Sequence, residues 1–519
     1  MWKDATRNGA GTAPGTAGTA GRRAVLRLAA GAAALLALTC AAPGAARAAE
    51  ERPTLDAASV DAHVRDYLDD TGLPGAVVAV TSGERVVRAA GYGRTAEGRP
   101  LTARTPVPVA SLSKSMTAWA VLRLAADGRI ALDEPVAAQL PEFAMADPRA
   151  EEITVRQLLN QTSGMADSAH PDLVLPQPES LTEAVAALRD ARLADDPGTA
   201  WHYHNTNYAV AARLVEVVSG EPFADHLADA VLRPLGMGDS VAVDSTTEMP
   251  EGARGHVRAY GRLFERDHPR WFTGGAFGVV TTADDLGDWL VAQHTLGVSA
   301  DGRRVLPEAE ARLAHTPPEG REYAMGWSVS PEGERPFRLQ HTGQLLTQNA
   351  IQILLPEHGV GIAVATNTGM ISGDDAVALA DGLVDLAEGR APGDHRPFTL
   401  TADWVLAAFT VGAVGLGAWG VRRARRWARR AADGPRWRAA PGLLWPLVPL
   451  ALLFWLPELC GLAMGRRGTF GQVVYVWPAL VIWTVAGAAA SAAVLLARCG
   501  ALAAPAVRRW RASRVAAVR

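Results

Sequence analysis

Apolar and polar residues alternate over residues 75–93 around Ser82-Gly83-Glu84, and again over residues 350–367 around Pro356-Glu357-His358-Gly359. A period of two puts alternate side chains on one face, and the glycine-bearing tetrapeptides supply a turn, so each stretch predicts a β-hairpin. Between these two stretches the apolar spacing lengthens to that of a helix, which predicts helices over residues 111–126, 154–161, 207–220 and 284–293. Thr282-Ala283-Asp284-Asp285 has the pattern of a helix cap, so its two acids read as structural. Strands near both ends with helices between them predict an antiparallel sheet closed by the two ends of the domain and flanked by helices, with an inserted helical region. This is an α/β arrangement of the α+β kind.

Three later runs are apolar throughout, at about 404–421, 443–463 and 473–497, each long enough to cross a bilayer as a helix. A shorter run, 28–40, follows Arg22 and Arg23 and precedes Ala46-Arg47-Ala48; it reads as an export signal over residues 1–48. The paired arginines suit a twin-arginine signal as well as an ordinary basic leader. Ala37-Leu38-Thr39 before Cys40 lacks the small residues of a lipoprotein site. The chain thus divides into a leader (1–48), a globular domain (49–390), a linker (391–402, with Pro392 and Gly393) and a membrane module (403–519).

Charge sharpens this division. Residues 50–400 carry 50 acids against 29 bases, whereas residues 401–519 carry 16 arginines against 3 acids. Those arginines cluster at 422–438 and 498–519, with only Arg466 and Arg467 in the turn between the second and third runs. The positive-inside rule then places the C-terminus in the cytoplasm and the globular domain outside the cell membrane, together with that turn. Arginine clusters that border apolar segments beside an acidic domain argue against nucleic acid as a partner. Glu458, near the outer end of the proline-bearing second run, reads as a carboxylate at headgroup level. The three cysteines, Cys40, Cys460 and Cys499, all lie outside the globular domain, which therefore relies on its core and not on disulfides.

Candidate chemistry begins with lysine. The chain has two, Lys3 and Lys114, and its other 49 Lys/Arg positions are arginine. A guanidinium cannot be deprotonated in a protein, whereas a buried amine can lose its proton and act as a base. Lys114 stands three residues after Ser111, at the spacing that brings two side chains to one side of a helical turn. Burial of the following helix through Met116, Trp119, Val121 and Leu122 would lower the proton affinity of Lys114 and let it accept the Ser111 proton.

Several stretches occur together with this pair: Ala110-Ser111-Leu112-Ser113-Lys114, Tyr203-His204-Asn205, His341-Thr342-Gly343, Thr162-Ser163-Gly164-Met165 and Arg233-Pro234-Leu235-Gly236-Met237. In this order they resemble the penicillin-recognising serine hydrolases, which include class C β-lactamases, D,D-peptidases, D-aminopeptidases and esterases. The resemblance covers roughly residues 60–388. It implies a serine β-lactamase-like fold and an acyl-enzyme mechanism without a metal or cofactor. It makes Ser111 the nucleophile, Lys114 its general base and Tyr203 a phenol that shuttles protons, with a proton affinity lowered by the neighbouring amine. It assigns substrate binding to Asn205, His341, Thr342, Gly343 and Gln344, and the oxyanion hole to the backbone N–H groups of Ser111 and Gln344.

His341 stands where many β-lactamases have a lysine that binds a substrate carboxylate, so peptide, amide or ester substrates are favoured over penicillins. Gln344-Leu345-Leu346 also departs from the pattern that usually follows that tripeptide. The leader, domain and three spans resemble prodrug-activating peptidases of nonribosomal-peptide pathways, and a non-catalytic penicillin-binding sensor is the rival from another class. His202 and His204 alternate as metal ligands can, yet no third ligand is apparent nearby in the sequence. Neither a phosphate loop nor a dinucleotide fingerprint occurs.

Overall fold

The computed structural model describes residues 54–516 except 251–253, 332, 370, 372–373 and 434; the leader at 1–48 lies outside the described residues. The two expected hairpins form as β1 (Gly75–Ser82) with β2 (Arg85–Gly93), and later as β6 (Asn349–Leu355) with β7 (Val360–Thr366). Three strands join them: β3 (Tyr323–Ala324), β4 (Trp327–Val329) and β5 (Leu339–Gln344), none of which stood out in the sequence pattern. The seven make one sheet in the order β2-β1-β7-β6-β5-β4-β3, antiparallel at every pairing, with Ala76 opposite Thr366 where the domain's two ends meet. Every position of β6 and β7 is buried, as a strand covered on both faces requires.

The covers are helices. On one face lie α1 (Ala57–Thr71) and α5 (Asp375–Ala387), whose Val60, Val64, Leu379 and Leu383 pack on Val78, Ile351 and Ile362. Asp56 and Ser59 form a capping box that starts α1, and Gly72 ends it in the left-handed region. The other face carries α2 (Ser113–Ala126) and α4 (Ala283–His294), with Trp119 and Trp289 in ring contact at 4.9 Å. Gln352 ties this layer to the sheet: it accepts from Trp289 Nε1 at 2.9 Å and donates to Ser115 Oγ at 3.0 Å. Thr282 caps α4 by accepting from the Asp285 N–H, as its sequence pattern implies. Between α2 and α4 lies the inserted helical region, in which α3 (Thr206–Ser219) packs on α2.

Among the described residues, two C-terminal helices are long and apolar enough to cross a membrane: α6 (Thr399–Ala432) and α10 (Pro478–Ala516), the latter over residues Pro478–Ala504. Helix α6 begins inside the stretch read as a linker, 391–402. The apolar run at 443–463 does not form one straight helix. It divides into α7 (Leu447–Phe454) and α8 (Leu456–Met464) within a segment bent by 54°, so a third span exists only if the bent pair is counted as one. Pro457 accounts for the break, since it supplies no N–H and its ring crowds the carbonyl four residues back. The run at 473–497 is also interrupted. Its first residues belong to a separate helix, α9 (Phe470–Val476), which stops at Trp477 because a residue before proline disfavours helical backbone. The buried Asp403 joins the modules: it accepts from Trp477 Nε1 and from the Tyr260 N–H, each at 2.7 Å.

Candidate active site

Ser111 lies in a single 3-10 turn, Ala110–Leu112, just before α2, and not on the α-helix that the spacing predicted. Ala110 has φ +48, a left-handed conformation costing about 1–3 kcal/mol at a non-glycine residue. The turn is held by Ser113, whose Oγ donates to Ala110 O at 2.6 Å and accepts from Val279 N at 2.9 Å. Strand β5 runs close behind it. A Cβ at Gly343 would come within 2.2 Å of Val109 O, so only glycine lets β5 approach the turn and bring Thr342 and Gln344 alongside Ser111.

Lys114 is fully buried, and its Nζ has three partners: Asn205 Oδ1 at 3.0 Å, Ala276 O at 2.9 Å and Ser111 Oγ at 3.1 Å. The first two can only accept. A neutral amine has two N–H bonds and one lone pair, so those acceptors take both hydrogens and the lone pair faces the serine hydroxyl. The neutral form is the favoured one: burial pushes the Lys114 proton affinity well below its ordinary value, with repulsion from Arg466 adding to this and Asp172 opposing it.

Tyr203 lines the same cavity as Ser111, and its ring centroid lies 4.9 Å from Lys114 Nζ. Here the expectation of a lowered phenol pKa is corrected: burial pushes it up, to about 12. The expected cation is itself driven neutral, and burial outweighs the lowering that Ser111 and Arg466 supply, so the phenol keeps its proton as a donor. His341 is also neutral, pushed down to about 3 by burial, with Lys114 contributing. Its Nδ1 donates to Thr342 O at 2.7 Å, which leaves Nε2 to accept from Tyr323 OH at 3.1 Å. Position 341 therefore offers no fixed cation.

Ser111, Tyr203, Asn205, His341, Thr342 and Gln344 line one cavity of about 640 Å³, with Lys114 beneath it and Gly343 packed behind its wall. The Ser111 N–H lies at the start of a helical turn and has no intrahelical acceptor, and both Ser111 and Gln344 line the cavity. The opposite wall comes from the membrane module, through Met464, Arg466, Arg467, Val473 and Val476. Arg466 Nε lies 3.2 Å from Asp167 Oδ1, and a second guanidinium nitrogen pairs with Asp172. Gln472 Nε2 donates to Leu173 O at 2.8 Å.

His202 and His204 do not converge: the first bonds Asp195 at 2.6 Å and the second donates from Nε2 to His170 O at 2.7 Å. Asp167, Asp172 and His204 do approach one another closely enough to hold a metal, but the Arg466 guanidinium lies on both carboxylates and supplies the cation. Sequence reasoning counted Arg466 and Arg467 only as topology markers and passed over Asp172 and Tyr323. A pair of arginines in a short outer turn between apolar runs was the available signal, since guanidinium so placed needs carboxylate partners.

A family model described as Beta-lactamase matches residues 60–385. The chain is 30% identical over 341 residues to Penicillin-binding protein 4 of Amycolatopsis lactamdurans, covering 63% of this chain and 89% of that protein. It is 26% identical over 316 residues to Protein flp of Staphylococcus aureus (strain MW2), covering 59% of this chain and 62% of that relative's length. Among solved structures, the octameric penicillin-binding protein homologue from Pyrococcus abyssi matches with a TM-score of 0.55 at 23% identity, over 68% of this chain and 81% of that one. The penicillin-binding protein from Bacillus halodurans matches with a TM-score of 0.52 at 22% identity, over 61% and 98%. At these identities the two structures speak to the fold.

Proposed function

Because the chain belongs to the beta-lactamase family of serine hydrolases, we propose that it cleaves amide or ester bonds through an acyl-enzyme on Ser111, with Lys114 as general base. The observation that carries this reading is the 3.1 Å approach of Ser111 Oγ to a buried Lys114 whose other two partners are acceptors. Ser111 attacks the substrate carbonyl as its proton passes to the Lys114 lone pair. The backbone N–H groups of Ser111 and Gln344 stabilise the oxyanion. Tyr203, kept protonated by burial, relays the proton from Lys114 to the departing amine or alcohol and takes it back when water attacks the acyl-enzyme. Asn205 holds Lys114, and Thr342 flanks the bound substrate from β5.

The absence of a cation at position 341 supports peptide, amide or ester substrates over penicillins, so a β-lactamase or D,D-carboxypeptidase is the less favoured reading. The cavity wall supplied by the membrane module favours, within the peptidases, an enzyme of the prodrug-activating type acting on D-amino-acid-bearing precursors. Helices α6 and α10, with the bent segment between them, anchor this domain on the outer face of the cell membrane and leave the arginine-rich ends in the cytoplasm. In support, the outer turn at Arg466 bonds to the catalytic domain and so lies on its side of the bilayer.

A screen of D-amino-acid amides, short-chain esters and a chromogenic cephalosporin tests the reading, with Ser111→Ala as control. Ser111-dependent turnover of amides or esters, with the cephalosporin slowest, is expected. Preferred turnover of the cephalosporin would reverse the substrate assignment.

A further inference from the structure

Arg466 and Arg467 stand together in the turn between α8 and α9, and the bonds within the protein explain only the first. In the topology proposed above this is an outer turn, where arginine is depleted. Arg466 engages its guanidinium with Asp167 and Asp172. Arg467 gives Asp167 its backbone N–H, on Oδ2, while Arg466 Nε holds Oδ1. Both oxygens of that carboxylate are therefore taken, and among the described residues the Arg467 guanidinium has no ion pair or hydrogen bond.

The backbone that carries Arg467 is fixed at both ends. Helix α8 stops at Gly465, which has φ +65, and the Arg466 N–H returns to Gly461 O at 3.0 Å. A Cβ at Gly461 would lie 2.7 Å from Arg466 O, so glycine is what lets the turn fold back so closely. On the far side Thr469 and Gln472 form the capping box that starts α9, and Gln472 also bonds Leu173 O. The exposed Arg467 side chain thus leaves a fixed point on the cavity rim and lines the same cavity as Ser111.

The other charges of the lining are matched. Asp167 and Arg466 pair with each other, His202 bonds Asp195, and His341 is neutral. What remains is one guanidinium beside the apolar Met464, Val473 and Val476. Its planar fork suits a carboxylate, and an apolar wall strengthens such a contact. Resting on the acyl-enzyme reading above, we propose that Arg467 is a specificity-determining residue, whose guanidinium binds a carboxylate of the substrate while Ser111 attacks the scissile carbonyl. The cation missing at position 341 is then supplied from the opposite wall, by the membrane module. The substrate is an anionic amide or ester that carries its carboxylate away from β5. A lipid phosphate would satisfy the same guanidinium, and the test separates the two.

Full-length protein, in detergent and in phosphatidylglycerol nanodiscs, is given two matched pairs of esters. The p-nitrophenyl monoester of glutaric acid and its glutaramate counterpart differ in a carboxylate or carboxamide on the acyl side; 4-acetoxybenzoate and 4-acetoxybenzamide differ in the same way on the leaving side. Wild type should favour the carboxylate member of at least one pair. In that pair Arg467→Met should lower the ratio of kcat/KM for carboxylate over carboxamide by about tenfold, through KM and not kcat. Arg467→Lys should keep part of the preference, and Arg467→Glu should lower it further. Because each ratio compares two substrates on one protein, a folding defect leaves it unmoved. Ser111-dependent turnover with the same ratios in wild type, Arg467→Met and Arg467→Glu would overturn this proposal alone. A loss confined to nanodiscs and equal for both members of each pair would assign Arg467 to lipid phosphate and overturn it too. Turnover undiminished in Ser111→Ala would overturn the acyl-enzyme reading and this proposal with it.

Discussion

Replacing Lys114 by arginine keeps a cation at the position and removes the one group beside Ser111 able to give up its proton near neutral pH. Lys114 is fully buried and holds Asn205 Oδ1 and Ala276 O through its two N–H bonds. A guanidinium could still donate to both acceptors, so the ground-state hydrogen bonds survive in part. What disappears is the acceptor for the serine proton. General-base assistance is worth about 10²–10⁴ in rate, which corresponds to about 3–5 kcal/mol of transition-state stabilisation. The variant also buries a permanent charge, since Asp172 is already paired with Arg466, and should lose about 3–5 kcal/mol of stability. Lys114→Met separates the two effects: it adds no charge but leaves two buried acceptors unpaired, at about 1–3 kcal/mol each.

The assay is the burst of p-nitrophenol from p-nitrophenyl acetate, scaled to the folded fraction from thermal denaturation. For wild type the sign is fixed by the amine: as pH falls through the depressed Lys114 pKa the base is protonated, and the rate drops. Lys114→Arg should keep only a residual burst that does not vary with pH over that limb. A burst within tenfold of wild type, with the acid limb intact, would mean that the proton goes elsewhere.

Two further outcomes follow from the same geometry. Tyr203→Phe removes the donor facing Ser111 without removing the ring, so the acylation rate should fall by about 10²–10³ while the acid limb stays in place, as single-turnover kinetics would read. Asp375 pairs with the buried Arg258 at 3.1 Å and accepts from Tyr67 and Thr368, so Asp375→Ala should cost about 3–5 kcal/mol in denaturant unfolding, far from the catalytic cavity.

The hairpins at 75–93 and 350–367 were legible because their strands alternate or run apolar between clear turn residues, and burial then acts position by position. Strand β5 was not. Its Leu339-Gln340-His341-Thr342-Gly343-Gln344 is largely polar because His341, Thr342 and Gln344 all line a cavity, so the apolar period is missing there. Lys114 was legible through its rarity, and the serine three residues before it gave the rarity a role. The left-handed backbone at Ala110 had no signal, since alanine does not announce φ +48. The direction of the Tyr203 shift has a physical reason that the sequence does not display: its neighbouring amine is itself driven neutral, and burial outweighs the attraction of the more distant Arg466. Arg466 was visible as charge in a turn, but its partners Asp167 and Asp172 lie about 300 residues earlier, and only folding brings them together.

The central claim is that Ser111 forms a covalent acyl-type adduct, and intact mass of the full-length protein after fluorophosphonate treatment tests it most directly. The account predicts a single adduct on wild type that maps to the Ser111 peptide and is absent from Ser111→Ala. An equal adduct on Ser111→Ala, or none on folded wild type, would contradict it.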